Sequence, residues 1–217
     1  MNEQKRWMIV GLGNPGRGYA KNRHNIGYRC VERLARRHDL RFDKRQGNAR
    51  LALGWIRGQA VVLAKPQTFM NDSGRAVGAV SRFYKVPMGR LLVIYDELDI
   101  PLGTVRLRAS GGSGGHGGMR SLIQHLGDQG FPRVRVGIGR PPGRMDPADF
   151  VLQDLSAKEL EVMEEVCAWV VEAAECWLTD GIEIAMTRYN GEVGGDPSSA
   201  KGNGQAAANS SPRVDSG

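Results

Sequence analysis

The sequence predicts an α/β fold, a single domain with a mixed β-sheet flanked by helices. Three observations carry this. Segments of strand period and helix period interleave along the chain, the pattern of a layered α/β domain. Residues 90–95 (RLLVIY) bring four apolar residues together, as in a strand buried on both faces of its sheet. The chain has 217 residues and 41% hydrophobic content, enough for one sizeable core.

Each element has its own signal. Residues 8–10 (MIV) read as a short buried strand that empties into a loop holding Asn14, Tyr19 and His24. Over residues 23–38 the period changes. Gly27, Val31, Leu34 and His38 fall near one helical face and Arg33, Arg36 and Arg37 on others, so loop gives way to helix near Asn25. Ala49–Ile56 and residues 59–64 are strand-like and meet at Arg57-Gly58, which predicts a hairpin. Pro66 stops the second strand, and the loop KPQTFMN delivers Phe69, Met70 and Asn71. A helix is expected over 72–84, with Val77, Val80 and Tyr84 inward, and Pro87 ends that segment.

Asp96, Glu97 and Asp99 follow RLLVIY directly. Thr104–Arg108 is a further strand, and the SGGSGGHGG after it is too glycine-rich for helix or ladder. Residues 119–126 are helical, 134–138 form a strand, and 139–147 an open loop. Ser156 and Glu159 have capping-box spacing and open a long helix. Its stripe is Leu160, Met163, Cys167, Val170, Ala174 and Trp177, with six glutamates elsewhere. The domain is therefore expected over 1–190. Residues 191–217, dominated by Gly, Ser, Ala and Asn, are expected to be a disordered tail.

Composition narrows the function classes. No apolar run approaches the ~18 residues of a membrane span, and MNEQKRW lacks the apolar segment of a secretory signal. Cys30, Cys167 and Cys176 are odd in number and show no metal-ligand spacing, so they read as reduced cytosolic thiols packed as small hydrophobes. The net charge of +7 divides sharply. Residues 1–150 hold 26 Lys/Arg against 11 Asp/Glu, a net +15, and residues 151–217 hold 4 against 12, a net −8. A basic body of this kind points to a polyanionic partner, nucleic acid ahead of a membrane because no basic amphipathic anchor is visible.

Two literal motif matches fail on context. Gly11-Leu-Gly13-Asn-Pro-Gly16 fits GxGxxG, but a dinucleotide fold starts its helix inside the glycines, and here the loop runs on to Asn25. Gly111-Gly-Ser113-Gly-Gly115 fits the hydrolase elbow GxSxG, but the helix is expected only near Met119. Only His116 and His125 follow Ser113, with no carboxylate between Ser113 and either, so the triad order fails.

A third constellation is chemically coherent. His24 is a candidate general base. Asp96, at the end of the most buried strand, is placed to accept from one imidazole nitrogen and leave the other to take a proton from water. Asn14 and Asn71 offer neutral donors and acceptors at two further loop ends, suited to an amide or a developing oxyanion.

At these residues the sequence resembles the bacterial peptidyl-tRNA hydrolases over about residues 7–190. The motifs are GLGNPGRGYAKNRHNIG, KPQTFMNDSG, the pair YDELDIPLG and RLRASGGSGGHGG, and RVRVGIGRP. The resemblance implies a cytoplasmic monomer with a twisted mixed sheet flanked by helices. It also implies hydrolysis of the ester joining peptide to tRNA, with peptidyl-tRNA as partner and no metal or organic cofactor. His24 matches the catalytic base, Asp96 the carboxylate that orients it, and Asn14 the residue that distinguishes peptidyl from free aminoacyl groups. Tyr19, Phe69, Met70 and Asn71 match substrate contacts, His116 the glycine-rich site wall, and Arg108 and Arg135 a basic clamp on the terminal phosphate of tRNA.

The chain reads His116-Gly117-Gly118 where the family usually reads His-Asn-Gly, so a side-chain amide is missing at the substrate position Gly117. Asn25, Asn71 and Ser113 are candidates to replace it, and a positive φ at Gly117 is an alternative reason for the glycine. A plant organellar RNA-splicing factor of the same superfamily is similar in fold, which keeps a binding-only reading open beside the enzyme. The His24–Asp96 pair favours the enzyme.

Overall fold

A computed structural model describes residues 5–194. In chain order the elements are β1 (Trp7–Gly11), α1 (Ile26–Arg37), β2 (Lys44–Gln46), β3 (Ala49–Ile56), β4 (Gln59–Pro66) and α2 (Ser73–Phe83). There follow β5 (Leu91–Glu97), β6 (Thr104–Arg108), α3 (Gly117–Leu126), β7 (Arg133–Gly137), α4 (Pro147–Val151), α5 (Ala157–Asp180), α6 (Ile182–Tyr189) and β8 (Gly191–Glu192). The strands form one eight-stranded sheet in the order β2-β3-β4-β1-β5-β7-β6-β8. Its centre is parallel, β1 pairing with β4 and β5, and β5 with β7. Both flanks are antiparallel, so the sheet is mixed.

Strand alternation sorts the helices onto two faces. Ile9 of β1 and Leu92 and Ile94 of β5 share one core with Val31 and Leu34 of α1 and with Met163, Val170 and Trp177 of α5. Met8 and Val10 of β1 and Val93 and Tyr95 of β5 share the other with Val77 and Val80 of α2 and Met119 and Leu122 of α3. α1 lies hard against the sheet because two glycines allow it. A Cβ on Gly11 would stand 2.1 Å from the Gly27 carbonyl oxygen, and one on Gly27 would stand 2.4 Å from that of Ile94.

Several expectations shift. β5 runs on through Asp96 and Glu97, so both carboxylates sit in the sheet rather than after it. α3 starts at Gly117 instead of near Met119, with His116 as its N-cap, and Ser113 still lies outside any strand-turn-helix elbow. The expected open loop 139–147 ends in α4, capped by Asp146 with Pro147 in its first turn. Gly191 and Glu192, expected at the head of a disordered tail, pair with Val105 and Thr104 as β8. Most of that expected tail, residues 195–217, lies outside the described residues. Among the described residues no helix is long and apolar enough to cross a membrane.

Candidate active site

β4, β1 and β5 are adjacent and parallel, so the chain leaves all three at one end of the sheet. Asn14 follows β1, Met70 and Asn71 follow β4, and Asp96 is the next-to-last residue of β5. Such an end, outside the carboxyl termini of parallel strands, is where open α/β sheets place ligands. Here it forms a cleft of about 930 Å³ that receives all nine residues expected at catalytic and substrate positions.

His24 sits in a 3-10 turn, Arg23–Asn25, just ahead of α1. Its Nδ1 lies 2.9 and 2.8 Å from the two carboxylate oxygens of Asp96. Burial by itself would raise the Asp96 carboxyl, but the two imidazoles beside it outweigh burial and hold it well below the usual carboxylate range. An ionised carboxylate only accepts, so His24 carries a hydrogen on Nδ1, and in the neutral imidazole the lone pair is then on Nε2. Nε2 has no protein partner among the described residues. His116 is fixed by the same logic. Its Nδ1 accepts the Met119 backbone N–H at 3.2 Å, so its hydrogen is on Nε2, 3.0 Å from Asp96 Oδ1. Two imidazoles thus donate to one buried carboxylate.

Asn14 is equally constrained. Its side-chain oxygen accepts the Met70 N–H at 2.8 Å, which leaves the amide nitrogen as a donor. Its backbone is clamped by Asn25, whose Oδ1 accepts the Asn14 N–H at 2.8 Å and whose Nδ2 donates to the Asn14 carbonyl at 2.9 Å. Asn25 is therefore spent on structure and cannot stand in for the missing amide at position 117. Ser113 does not line the cleft, which leaves Asn71. The Asn71 side chain is exposed and has no protein partner among the described residues. Tyr19 is half-buried and Phe69 exposed in the cleft walls, and Met70 is buried. Gly117 has an ordinary helical φ, so the expected alternative of a positive φ is corrected. A Cβ there would meet Asn71 at 3.9 Å, ordinary contact.

Sequence reasoning missed the groups that hold the His24 turn. Arg23 is buried and donates to the Gln153 and Asp154 carbonyls and to both Glu159 oxygens at 2.7 and 2.8 Å. Asn22 Nδ2 donates to Asp154 at 2.7 Å. These contacts bridge some 130 residues of sequence, and no local pattern signals them. The capping box of α5 had a signal, but not its second duty of anchoring Arg23 through Glu159.

Arg108 and Arg135 stand outside the cleft. Register sets Arg106 opposite Arg135 and Arg108 opposite Arg133, so the four side chains share one face of β6–β7. Two are occupied. Arg133 is buried and donates to the Gly112, Gln129 and Phe131 carbonyls, and Arg135 pairs with Glu97 at 3.0 Å. Arg106 and Arg108 have no ion pair among the described residues. The ligand atoms of His24, Asp96 and His116 lie within 4.8 Å of one another, a spacing that could hold a metal ion, and in this arrangement each is engaged in an N–H···O hydrogen bond.

The family model described as peptidyl-tRNA hydrolase matches residues 8–197. A peptidyl-tRNA hydrolase of Chloroflexus aggregans is 53% identical over 185 residues, covering 85% of this chain and 98% of that protein. One of Herpetosiphon aurantiacus is 49% identical and covers 95% of this chain and 100% of its own. The crystal structure of peptidyl-tRNA hydrolase from Acinetobacter baumannii is similar with a TM-score of 0.82 at 33% identity, covering 88% of this chain and 97% of that one. On sequence and fold together, this chain belongs to the peptidyl-tRNA hydrolase family.

Proposed function

We propose that this chain hydrolyses the ester between a peptide and the terminal ribose of tRNA, with His24 as general base. The observation that carries the reading is the Asp96–His24 contact, which spends Nδ1 and leaves the Nε2 lone pair for a water proton. The water attacks the ester carbonyl, the ribose hydroxyl leaves, and free peptide and tRNA result. Asp96 stabilises the imidazolium that forms. The Asn14 amide nitrogen donates to a carbonyl of the peptide. A blocked amino group brings such an acceptor, whereas a free α-amino group brings only donors and positive charge, so this contact separates peptidyl from aminoacyl esters. Asn71 supplies a second neutral group for the developing charge. Arg108 and Arg135 engage tRNA phosphate, and the basic sheet face around them carries the salt-dependent part of binding. No step calls on a metal or an organic cofactor.

The test is release of a labelled N-acetylated aminoacyl group from tRNA beside the same tRNA with a free amino group. The blocked ester should be cleaved and the free one spared. A folded chain that binds tRNA and cleaves neither would favour the binding-only reading.

A further inference from the structure

We propose that Cys30 and Cys167 form an oxidisable dithiol that a small hydroperoxide converts into an intramolecular disulfide between α1 and α5. This inference is independent of the cleft chemistry. Cys30 lies on α1 and Cys167 on α5, 137 residues later, and their sulfurs stand 3.5 Å apart in the buried seam between the two helices. Both are free thiols, 1% and 2% exposed. A disulfide needs about 2.0 Å between sulfurs, so the pair closes by a shift of about 1.5 Å.

Access and polarity assign the two roles. A surface depression of about 190 Å³ has Cys167 in its wall, along with Arg29, Arg33, Arg36, Glu32 and Glu164. Cys30 does not reach it. The Cys30 thiol donates its hydrogen to the Cys167 sulfur. That contact, followed by burial, pushes the Cys30 thiol well up. Cys167 is thus the attacking sulfur and Cys30 the resolving one.

The chemistry balances with hydrogen peroxide as oxidant. The Cys167 thiolate attacks one peroxide oxygen, the O–O bond breaks, and the departing hydroxide takes a proton and leaves as water. Cys167 is then a sulfenic acid. Cys30 sulfur attacks Cys167 sulfur, the S–S bond forms, the S–O bond breaks, and the hydroxide departs with the Cys30 proton as a second water. Cys176 is an internal control, since its sulfur contacts Asp180 and Arg188 rather than a second thiol.

The test exposes the folded full chain to hydrogen peroxide, blocks remaining thiols, and maps non-reduced peptides by mass spectrometry. A linked peptide joining Cys30 to Cys167, lighter by two hydrogen atoms and lost on reduction, is expected to dominate. The oxidised protein should melt higher than the same sample after reduction. Cys30→Ala should accumulate a Cys167 sulfenic acid that a 1,3-diketone traps, and Cys167→Ala should give no linked peptide. Linkage that appears only after unfolding in urea, or that involves Cys176 equally, would overturn the proposal, and neither readout depends on a variant that folds.

Discussion

The side-chain oxygen of Asn14 accepts the backbone N–H of Met70 at 2.8 Å, joining the loop after β1 to the loop after β4 and leaving the amide nitrogen as the free donor of a cleft-lining residue. Asn14→Asp retains an acceptor for Met70 but replaces the cleft-facing donor with oxygen. Turnover of a blocked aminoacyl-tRNA should fall about 10²-fold, the scale for losing one placed donor, with little change in melting temperature. Asn14→Ala should lose turnover and also about 1 kcal/mol of stability, because the Met70 N–H is left unpaired. Thermal melts beside initial rates separate the two effects.

Arg108 and Arg135, the arginines proposed to engage phosphate, should behave differently from one another. Arg108 is exposed and unpaired among the described residues, so Arg108→Glu should raise KM more than it lowers kcat, with a defect that shrinks as salt rises. Arg135→Glu also strands Glu97, a buried carboxylate in the cleft wall, so kcat should drop as well. On a short ester lacking the tRNA body, Arg108→Glu should be near native and Arg135→Glu impaired. Equal losses for both variants on both substrates would mean that neither acts on phosphate.

Much of the fold was legible because the signals were local. RLLVIY and Thr104–Arg108 read as strands from apolar content and alternation, and the α5 cap from Ser156 and Glu159. β2 was not legible, since Lys44–Gln46 is three exposed polar residues held only by pairing with Ala49–Leu51. α6 follows Gly181 directly, and a glycine in that position reads as a helix end. In the site, Asn14, His24, Asn71 and Asp96 stood out as polar residues at strand ends. The Arg23 anchor and the donation from His116 to Asp96 are tertiary facts.

Charge was legible in amount and not in disposition. Three of the six glutamates of α5, Glu159, Glu164 and Glu175, take Arg23, Arg29, Arg33, Arg37 and Arg57, so those cations are already engaged within the protein.

Glu175 gives that network a pH signature. It is 5% exposed and contacts Arg37, Arg57 and His38 at 3.0, 2.6 and 2.9 Å. Burial alone would raise its carboxyl, but the hydrogen bonds from Arg57 and His38 and the charges of Arg37 and Arg57 lower it. A depressed carboxyl contributes stability that is fully present above its unfolded value of about 4.3 and is lost as pH falls below it. Glu175→Ala leaves Arg37 and Arg57 with access to water, so it should cost about 1.5–3 kcal/mol at neutral pH, the scale of hydrogen bonds to charged groups, and the gap to wild type should narrow below about pH 4. Melting curves across that range check both the size and the sign.

Gly117 stands where the resemblance implies an asparagine. Its φ is helical and its missing Cβ faces ordinary space, so Gly117→Asn should fold normally. Asn25 is committed to Asn14, so one neutral hydrogen bond of about 0.5–1.5 kcal/mol is open to be regained, roughly 2- to 12-fold in rate. A ratio of catalytic efficiencies, variant over wild type, at or below one would show that Asn71 or a water already fills the role.

The central claim is that His24 takes a proton from water while Asp96 holds its tautomer. Its most direct measurement is single-turnover release of a blocked aminoacyl group from tRNA by wild type, His24→Ala and Asp96→Asn, with tRNA affinity measured on the same preparations. His24→Ala should lose at least about 10²-fold in rate with binding intact, and Asp96→Asn should also be slow because an amide can favour the wrong tautomer. Near-native rates in both variants would contradict it.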